Sequence, residues 1–210
     1  MIKKIISEIK RDGLVKFAKG FLFENKTTGQ TIAKNTFWLF LAEGVNKGLM
    51  FFLTILLARY LGAEGYGQFA FAMSFTALFS VFADFGLSTL TIREVARNNK
   101  LAKKYVNNIS VMKLFLGVIT FSLIVGTIQF IRKSSDVNLL IYLFAGYIII
   151  NSFNNFFRSI FRAFEKMQYE AYSKIIQGLT LFGFGLYFLL NRFSTAYIVS
   201  AYIFASLISF

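Results

Sequence analysis

Four ionisable side chains lie within long apolar segments of the chain: Glu43, Lys47, Asp84 and Lys113. A charge in the hydrocarbon core of a membrane is costly, so such a residue usually faces a partner or a water-filled cavity and marks a functional site. Two of the four are acidic and two are basic, and a neutral cluster lowers the cost of removing charges from water. We therefore expect the four side chains to face a shared cavity.

Three of these charges occur at the same distance from a flanking basic residue. Nine residues separate Glu43 from Lys34, Asp84 from Arg93 and Lys113 from Lys104. At a helical rise of about 1.5 Å per residue, each charge lies about 13 Å inward from its flank, and Lys47 lies one turn deeper than Glu43. The spacing predicts one layer of charge, contributed by three helices and open to the cytoplasm.

Polar residues at helical spacing extend this candidate site. Asn46 shares a predicted helix face with Glu43 and Lys47, and a later segment carries a second polar stripe. The predicted substrate-binding or ion-coupling cavity comprises Glu43, Asn46, Lys47, Asp84, Lys113, Asn151, Asn155 and Arg158.

Each charge also has a purely structural interpretation. Glu43 and Lys47 are four residues apart, in the order that favours mutual pairing on one helix. Lys113 could extend to the inner headgroups, and Asp84 could make only an interhelical hydrogen bond. Asn and Ser are common contacts between membrane helices, so they are weak indicators by themselves.

The segments that must position these residues are long enough to cross a bilayer. The 210-residue chain is 56% hydrophobic and only 16% charged, and a membrane helix needs about 20 apolar residues. The sequence predicts an all-α, polytopic membrane helix bundle with five complete spans and an incomplete sixth. The predicted spans cover residues 35–58, 68–90, 106–131, 137–157, 171–190 and 195–210.

Any bend in these helices must come from glycine or from side chains that insert into the backbone hydrogen bonds, because the chain has no proline. Gly62, Gly65 and Gly67 predict a tight outer turn between the first two spans. Gly183 and Gly185 predict close packing of the fifth span against a neighbour.

Basic residues are concentrated on one side of the predicted spans. Eight precede the first span, five follow the second and four follow the fourth, whereas the opposite side holds four. The positive side of a membrane protein is cytoplasmic, so we predict a multi-pass plasma-membrane protein with a cytoplasmic amino terminus. Residues 1–34 are predicted to form a basic amphipathic segment on the anionic inner leaflet; the alternative is a tail without a special role.

Composition excludes several kinds of chemistry. The chain has no Cys and no His, which excludes disulfides, thiolate nucleophiles, imidazole bases and ordinary zinc sites. The net charge of +13 does not indicate a nucleic-acid partner, because the charges flank apolar helices and suit anionic lipid headgroups instead. We predict no cofactor, no metal and no enzymatic activity.

Two stretches of sequence resemble a known transporter family. They read "LLARYLGAEGYGQFAFAMSF" from Leu56 and "FADFGLSTLTIREVAR" from Phe82. These runs resemble the Wzx-type flippases, the polysaccharide-export branch of the MOP (MATE-like) exporter superfamily. The resemblance implies 12 to 14 helices in two related bundles, of which this chain would supply the amino-terminal six-helix bundle with its sixth helix truncated. We therefore expect a partial protein; the alternative is a short protein that dimerises.

The resemblance also implies a function. Such proteins move lipid-linked oligosaccharide from the inner to the outer face of the membrane by alternating access, coupled to an ion gradient of H⁺ or Na⁺. Cationic residues of the cavity would hold the substrate's phosphate, and Lys47, Lys113 and Arg158 are candidates because of their predicted depth. Expected partners are the lipid-linked oligosaccharide, anionic membrane lipids, and a glycan polymerase or glycosyltransferase.

Other classes of protein remain open. A multidrug or lipid-precursor exporter of the same superfamily is the nearest alternative, although the absence of proline departs from the proline-kinked first helix of multidrug relatives. A membrane glycosyltransferase is disfavoured, because the sequence has no Asp-x-Asp metal motif and no loop long enough for a nucleotide-sugar domain. A non-transporting assembly partner is a third possibility.

Overall fold

The computed structural model describes residues 28–131 and 134–210, and nearly all of them lie in helices. No strand occurs among them, so the predicted all-α membrane bundle is confirmed. The helices are α1 (Thr28–Leu78), α2 (Ser80–Asp84), α3 (Leu87–Arg97), α4 (Ala102–Ile131), α5 (Ser135–Ala163), α6 (Met167–Leu190) and α7 (Thr195–Ile208), and a 3-10 turn covers Asn99–Leu101. The amphipathic helix predicted at the amino terminus falls mostly on residues 1–27, outside the described residues; residues 28–34 belong to α1.

Four of the helices in the described part are long and apolar enough to cross a membrane: α1, α4 with its preceding 3-10 turn, α5 and α6. Helix α7 is also apolar but has only 14 residues. Helices α4, α5 and α6 begin a few residues before the predicted spans, because each continues through its polar flank.

Helix α1 contains the first predicted span and the first half of the second, separated by a kink at Gly62. Its 51 residues would measure about 77 Å if straight, whereas the hydrocarbon core is about 30 Å thick. Gly62 has φ 66° and ψ −176°, a conformation that is essentially restricted to glycine. Leu53 before the kink and Phe69 after it enter the same core, so the chain folds back on itself at this residue. Gly65 and Gly67 are helical, so the predicted turn contracts to Gly62 alone.

The second predicted span, residues 68–90, is not one continuous helix. It is interrupted at Phe85 and Gly86, which have φ values of 47° and 77°, both in the left-handed region. Gly86 adopts this conformation without steric cost, and helix α3 starts again at Leu87. The interruption directly follows Asp84, so the acidic residue lies at the carboxyl end of α2.

The core lies between the two halves of α1, on either side of Gly62, and helices α4, α5, α6 and α7. Phe144 of α5 contacts Phe69 and Tyr202, with ring centroids 5.4 and 5.5 Å apart. Close packing predicted for α6 holds at Gly185, where an added Cβ would lie 2.9 Å from Leu53 Cδ1, whereas Gly183 faces open space. Helix α5 contacts α4 as well as α6 and α7, which places its polar residues at two interfaces.

Candidate functional site

The first polar cluster surrounds Lys113 of α4. Its Nζ donates to Asp84 Oδ1 at 2.6 Å, to Ser152 Oγ at 2.6 Å and to the Ser152 carbonyl oxygen at 3.1 Å. The Lys113 side chain has no exposed surface, whereas that of Asp84 is 31% exposed. Lys113 therefore does not extend to the headgroups: it forms a buried ion pair that joins α2, α4 and α5.

The break after Asp84 explains why a cation lies here. The last carbonyls of a helix have no partner in the helix, and the carboxyl end carries partial negative charge. The Ala83 carbonyl accepts from Ser152 Oγ at 2.8 Å and, more weakly, from Lys113 Nζ at 3.4 Å. Ser88 Oγ, on the far side of the break, donates to Asp84 Oδ1 at 2.6 Å. We call Ala83, Asp84, Ser88, Lys113 and Ser152 the Lys113 cluster.

A second polar cluster surrounds the buried Arg158 of α5. Its Nε donates to Ser173 Oγ at 3.0 Å and its Nη2 to Gln177 Oε1 at 2.7 Å. Gln177 Nε2 in turn donates to Asn151 Oδ1 at 3.3 Å and to Ser206 Oγ at 2.9 Å. This Arg158 cluster, consisting of Asn151, Arg158, Ser173, Gln177 and Ser206, joins α5, α6 and α7.

A chain of ion pairs runs from α5 to α1 across the start of α6. Arg162 donates to both oxygens of the fully buried Glu170, at 2.7 and 2.5 Å. Lys174 Nζ lies between two carboxylates, 3.2 Å from Glu170 Oε1 and 2.6 Å from Glu43 Oε1. Because the signs alternate along the chain, each charge has an opposite charge beside it.

Asn46 fastens α1 to α6 at the same level. Its Nδ2 donates to the Lys174 carbonyl oxygen at 3.1 Å. The contact needs a glycine opposite it, since a Cβ at Gly178 would lie only 1.8 Å from Asn46 Oδ1.

The predicted site residues therefore occupy different environments. The structure brings Asp84 and Lys113 together, and it brings Asn151 and Arg158 together through Gln177. Glu43 pairs with Lys174, and the mutual pairing with Lys47 that its spacing favours is not the ion pair observed. Lys47 and Asn155 are exposed. These contacts distribute the charges over separate clusters on different sides of α5, and one cavity shared by all of them stays a prediction.

The polar stripe predicted on α5 included Asn155, but Asn155 is exposed. The neighbouring Asn154 is the buried residue, and its Nδ2 donates to the Ser206 carbonyl at 2.8 Å and to Ser209 Oγ at 3.2 Å. Positions three and four residues after Asn151 lie at opposite edges of the same helix face, and packing buries the edge with Asn154 and leaves the edge with Asn155 exposed.

Sequence reasoning missed Ser152, Gln177 and Glu170 as members of these clusters. Gln177 is a polar residue in the middle of an apolar segment, which was a usable signal. Glu170 precedes Lys174 by four residues, the favoured order for a helical ion pair. Ser152 gave no signal, because its partners are more than 30 residues away along the chain.

In residues 28–131 and 134–210, no group of three or more acidic, His or Cys side chains comes together. Two apolar surface grooves lie in this part of the chain, one beside Gly183 and Phe184 and the other beside Phe85 and Met112. The polar clusters are thus contacts between helices, with exposed charge beside them on α1.

Apolar helices joined by buried ion pairs and hydrogen bonds define a multi-pass helical membrane protein. Residues 32–210 match the family described as polysaccharide biosynthesis protein. The chain belongs to this family of polysaccharide biosynthesis proteins, which includes the Wzx-type flippases. No curated protein and no solved structure matches the chain.

Proposed function

We propose that this protein is a flippase of the MOP superfamily that moves lipid-linked oligosaccharide from the cytoplasmic to the outer face of the plasma membrane. It acts by alternating access, coupled to a gradient of H⁺ or Na⁺, and it performs no covalent chemistry. Its amino terminus is cytoplasmic. A glycan polymerase or glycosyltransferase supplies or consumes the substrate on either side of the membrane.

The observation that carries this proposal is a charged, exposed surface on helices that are otherwise apolar. The side chain of Glu43 is 48% exposed, and Lys47 is exposed one turn further along α1. Surface charge within a membrane segment is costly unless it faces water or a polar ligand. Membership of the polysaccharide biosynthesis family makes a phosphorylated glycan the ligand of matching chemistry.

The physical task requires such a surface. A sugar chain with a phosphate group cannot cross hydrocarbon unaided, because its polar groups would lose their hydrogen bonds to water. A polar groove holds the head group while the isoprenoid tail stays in the lipid. Two conformations of the protein, whose balance the substrate or the ion shifts, complete the transport cycle.

The test replaces Lys47 by Gln in the otherwise unchanged protein. Purified protein is reconstituted in vesicles that contain lipid-linked oligosaccharide, and a lectin added outside reports the glycan that reaches the outer leaflet. A charge-assisted hydrogen bond is worth about 1.5–3 kcal/mol, so we expect transfer to slow by roughly tenfold or more while protein abundance stays unchanged.

Lys104→Gln is the matched control, because Lys104 is an exposed lysine at the cytoplasmic start of α4. It should leave transfer unchanged. Equal loss of transfer and abundance for Lys47→Gln would indicate a role in folding. Wild-type protein that exports drugs but gives no lectin signal would be a multidrug exporter, and protein with neither activity would be an assembly partner.

A further inference from the structure

The environment of Lys113 Nζ has more acceptors than an ammonium group can use. Four oxygens surround it: Asp84 Oδ1 and Ser152 Oγ, each at 2.6 Å, the Ser152 carbonyl at 3.1 Å and the Ala83 carbonyl at 3.4 Å. An ammonium group has three N–H donors. The site therefore solvates positive charge from several directions, as a coordination shell does, instead of matching three directed hydrogen bonds.

The kinds of oxygen are those that bind small hard cations. One carboxylate, one hydroxyl and two backbone carbonyls converge, and one of the carbonyls belongs to the interrupted end of α2. Unwound carbonyls and the carboxyl ends of half-helices coordinate Na⁺ in membrane transporters, because the partial negative charge of a helix is concentrated there. The Phe156 ring, 5.9 Å from Nζ, adds a face that also favours a cation.

We propose that this oxygen cage is a site for a monovalent cation, and that Lys113 occupies it with its own ammonium group. The side chain is a tethered cation: it neutralises Asp84 and excludes free Na⁺ while it remains in place. The proposal assigns a ligand class to the break in the second span and does not depend on what the protein transports.

Removal of the ammonium should open the site. Lys113 is fully buried, so truncation to Ala leaves a cavity lined by the same oxygens, and the exposed part of Asp84 gives a route for ions to enter. A single carboxylate is left uncompensated there, and buried charge of that kind is strongly destabilising unless a counter-ion replaces the lost partner. Na⁺ is small enough to fill the space of the ammonium group.

The test compares detergent-purified wild-type protein, Lys113→Ala, Lys113→Met and the double variant Lys113→Ala with Asp84→Asn. Binding of radioactive sodium and thermal unfolding are measured in NaCl and in choline chloride of equal ionic strength. Lys113→Ala should bind one more sodium ion than the wild type does, and its Tm should rise with NaCl more than that of the wild type, since a ligand that binds the folded state alone stabilises it. Met fills the cavity without charge and should show neither effect.

Three results would overturn the proposal. They are a Lys113→Ala protein without additional sodium binding or an additional rise in Tm with NaCl, sodium binding at this site in the wild type, and additional sodium binding that survives Asp84→Asn. If Lys113→Ala yields no folded protein in choline chloride, recovery in NaCl supports the site. Failure to fold equally in both salts contradicts it.

Discussion

Lys113 and Lys47 are both lysines within apolar helices, yet their environments differ. Lys113 is buried among oxygens supplied by two other helices, whereas Lys47 is exposed on α1. The first therefore stabilises the bundle, and only the second has an ammonium group that can meet a ligand without breaking existing contacts. Arg158 resembles Lys113, because Ser173 and Gln177 already bind its guanidinium group.

Ser152→Ala should destabilise the protein measurably. The change removes a hydroxyl that accepts from Lys113 and donates to the Ala83 carbonyl. Hydrogen bonds between membrane helices are worth about 1–2 kcal/mol, and we expect a loss of this size in the free energy of unfolding, measured by denaturant titration in detergent. Ser159→Ala is the control, since Ser159 is buried on the same helix but bonds only to the Phe156 carbonyl. Similar losses in both variants would contradict a special role for Ser152.

Gly178→Ala should weaken the junction of α1 and α6. The new methyl group would occupy the space of Asn46 Oδ1, so the Asn46 side chain must turn away and lose its bond to Lys174. The expected cost is about 0.5–1.5 kcal/mol, read as a lower Tm. Gly183→Ala, in open space on the same helix, should be neutral or slightly stabilising because Ala favours a helix.

A double-mutant cycle tests whether the cost of Gly178→Ala arises from the lost hydrogen bond of Asn46. If the loss arises from Asn46, then Gly178→Ala should cost less in an Asn46→Ala background, because residues in contact are not additive. An unchanged cost would assign the effect to some other contact of Gly178.

At the scale of elements, two glycines interrupt the helical segment between residues 28 and 97. Gly62 separates the legs of α1, and Gly86 separates α2 from α3. In a chain without proline, these are the two glycines with positive φ among the described residues. The second break has a chemical consequence, since it exposes the carbonyl end that Lys113 and Ser152 bind.

The two breaks should respond differently to Asn. Gly86 has φ 77° and ψ 9°, near the left-handed region that Asn tolerates, so Gly86→Asn should be milder than Gly86→Ala. Gly62 has ψ −176°, which favours glycine alone and costs other residues about 1–3 kcal/mol. Both Asn and Ala should therefore lower the Tm at position 62. Rescue by Asn at position 62, or its failure at 86, would show that the backbone relaxes at these breaks.

At the scale of the whole molecule, the distribution of basic residues is the basis for the orientation. The junction of α3 and α4 carries five basic residues between positions 93 and 104, at the end of α3, in the connecting turn and at the start of α4, whereas the kink at Gly62 is near a single arginine, Arg59. Charged segments of this kind remain on the cytoplasmic side during insertion. The kink would then lie at the outer surface.

Single-cysteine labelling tests this topology, because the chain has no Cys of its own. Glu64→Cys and Asn99→Cys place one thiol each at exposed positions beside the kink and in the α3–α4 loop. A membrane-impermeant maleimide should label Glu64→Cys in intact cells and Asn99→Cys only after lysis. The reverse pattern would show that the protein has the opposite orientation. Labelling of both variants in intact cells would show that the two positions lie on the same side of the membrane.

The sequence by itself determined that the chain is a bundle of membrane helices and that Asp84 and Lys113 are unusual residues. Both conclusions depend on the cost of placing each residue in hydrocarbon, and that cost is a property of the residue and its immediate neighbours. A turn at Gly62, Gly65 and Gly67 was also predicted, because two apolar segments had to be connected there, and the structure confines it to Gly62.

Only the tertiary structure decided which charges meet. Lys113 reaches Asp84 across 29 residues of sequence, and Lys174 reaches Glu43 across 131. Partners at such separations depend on the rotation of each helix about its axis and on where a helix is interrupted. A rotation of one residue, about 100°, exchanges a buried Asn154 for an exposed Asn155. Hydrophobic periodicity is too coarse to fix that angle, whereas packing against neighbouring helices fixes it for every residue at once.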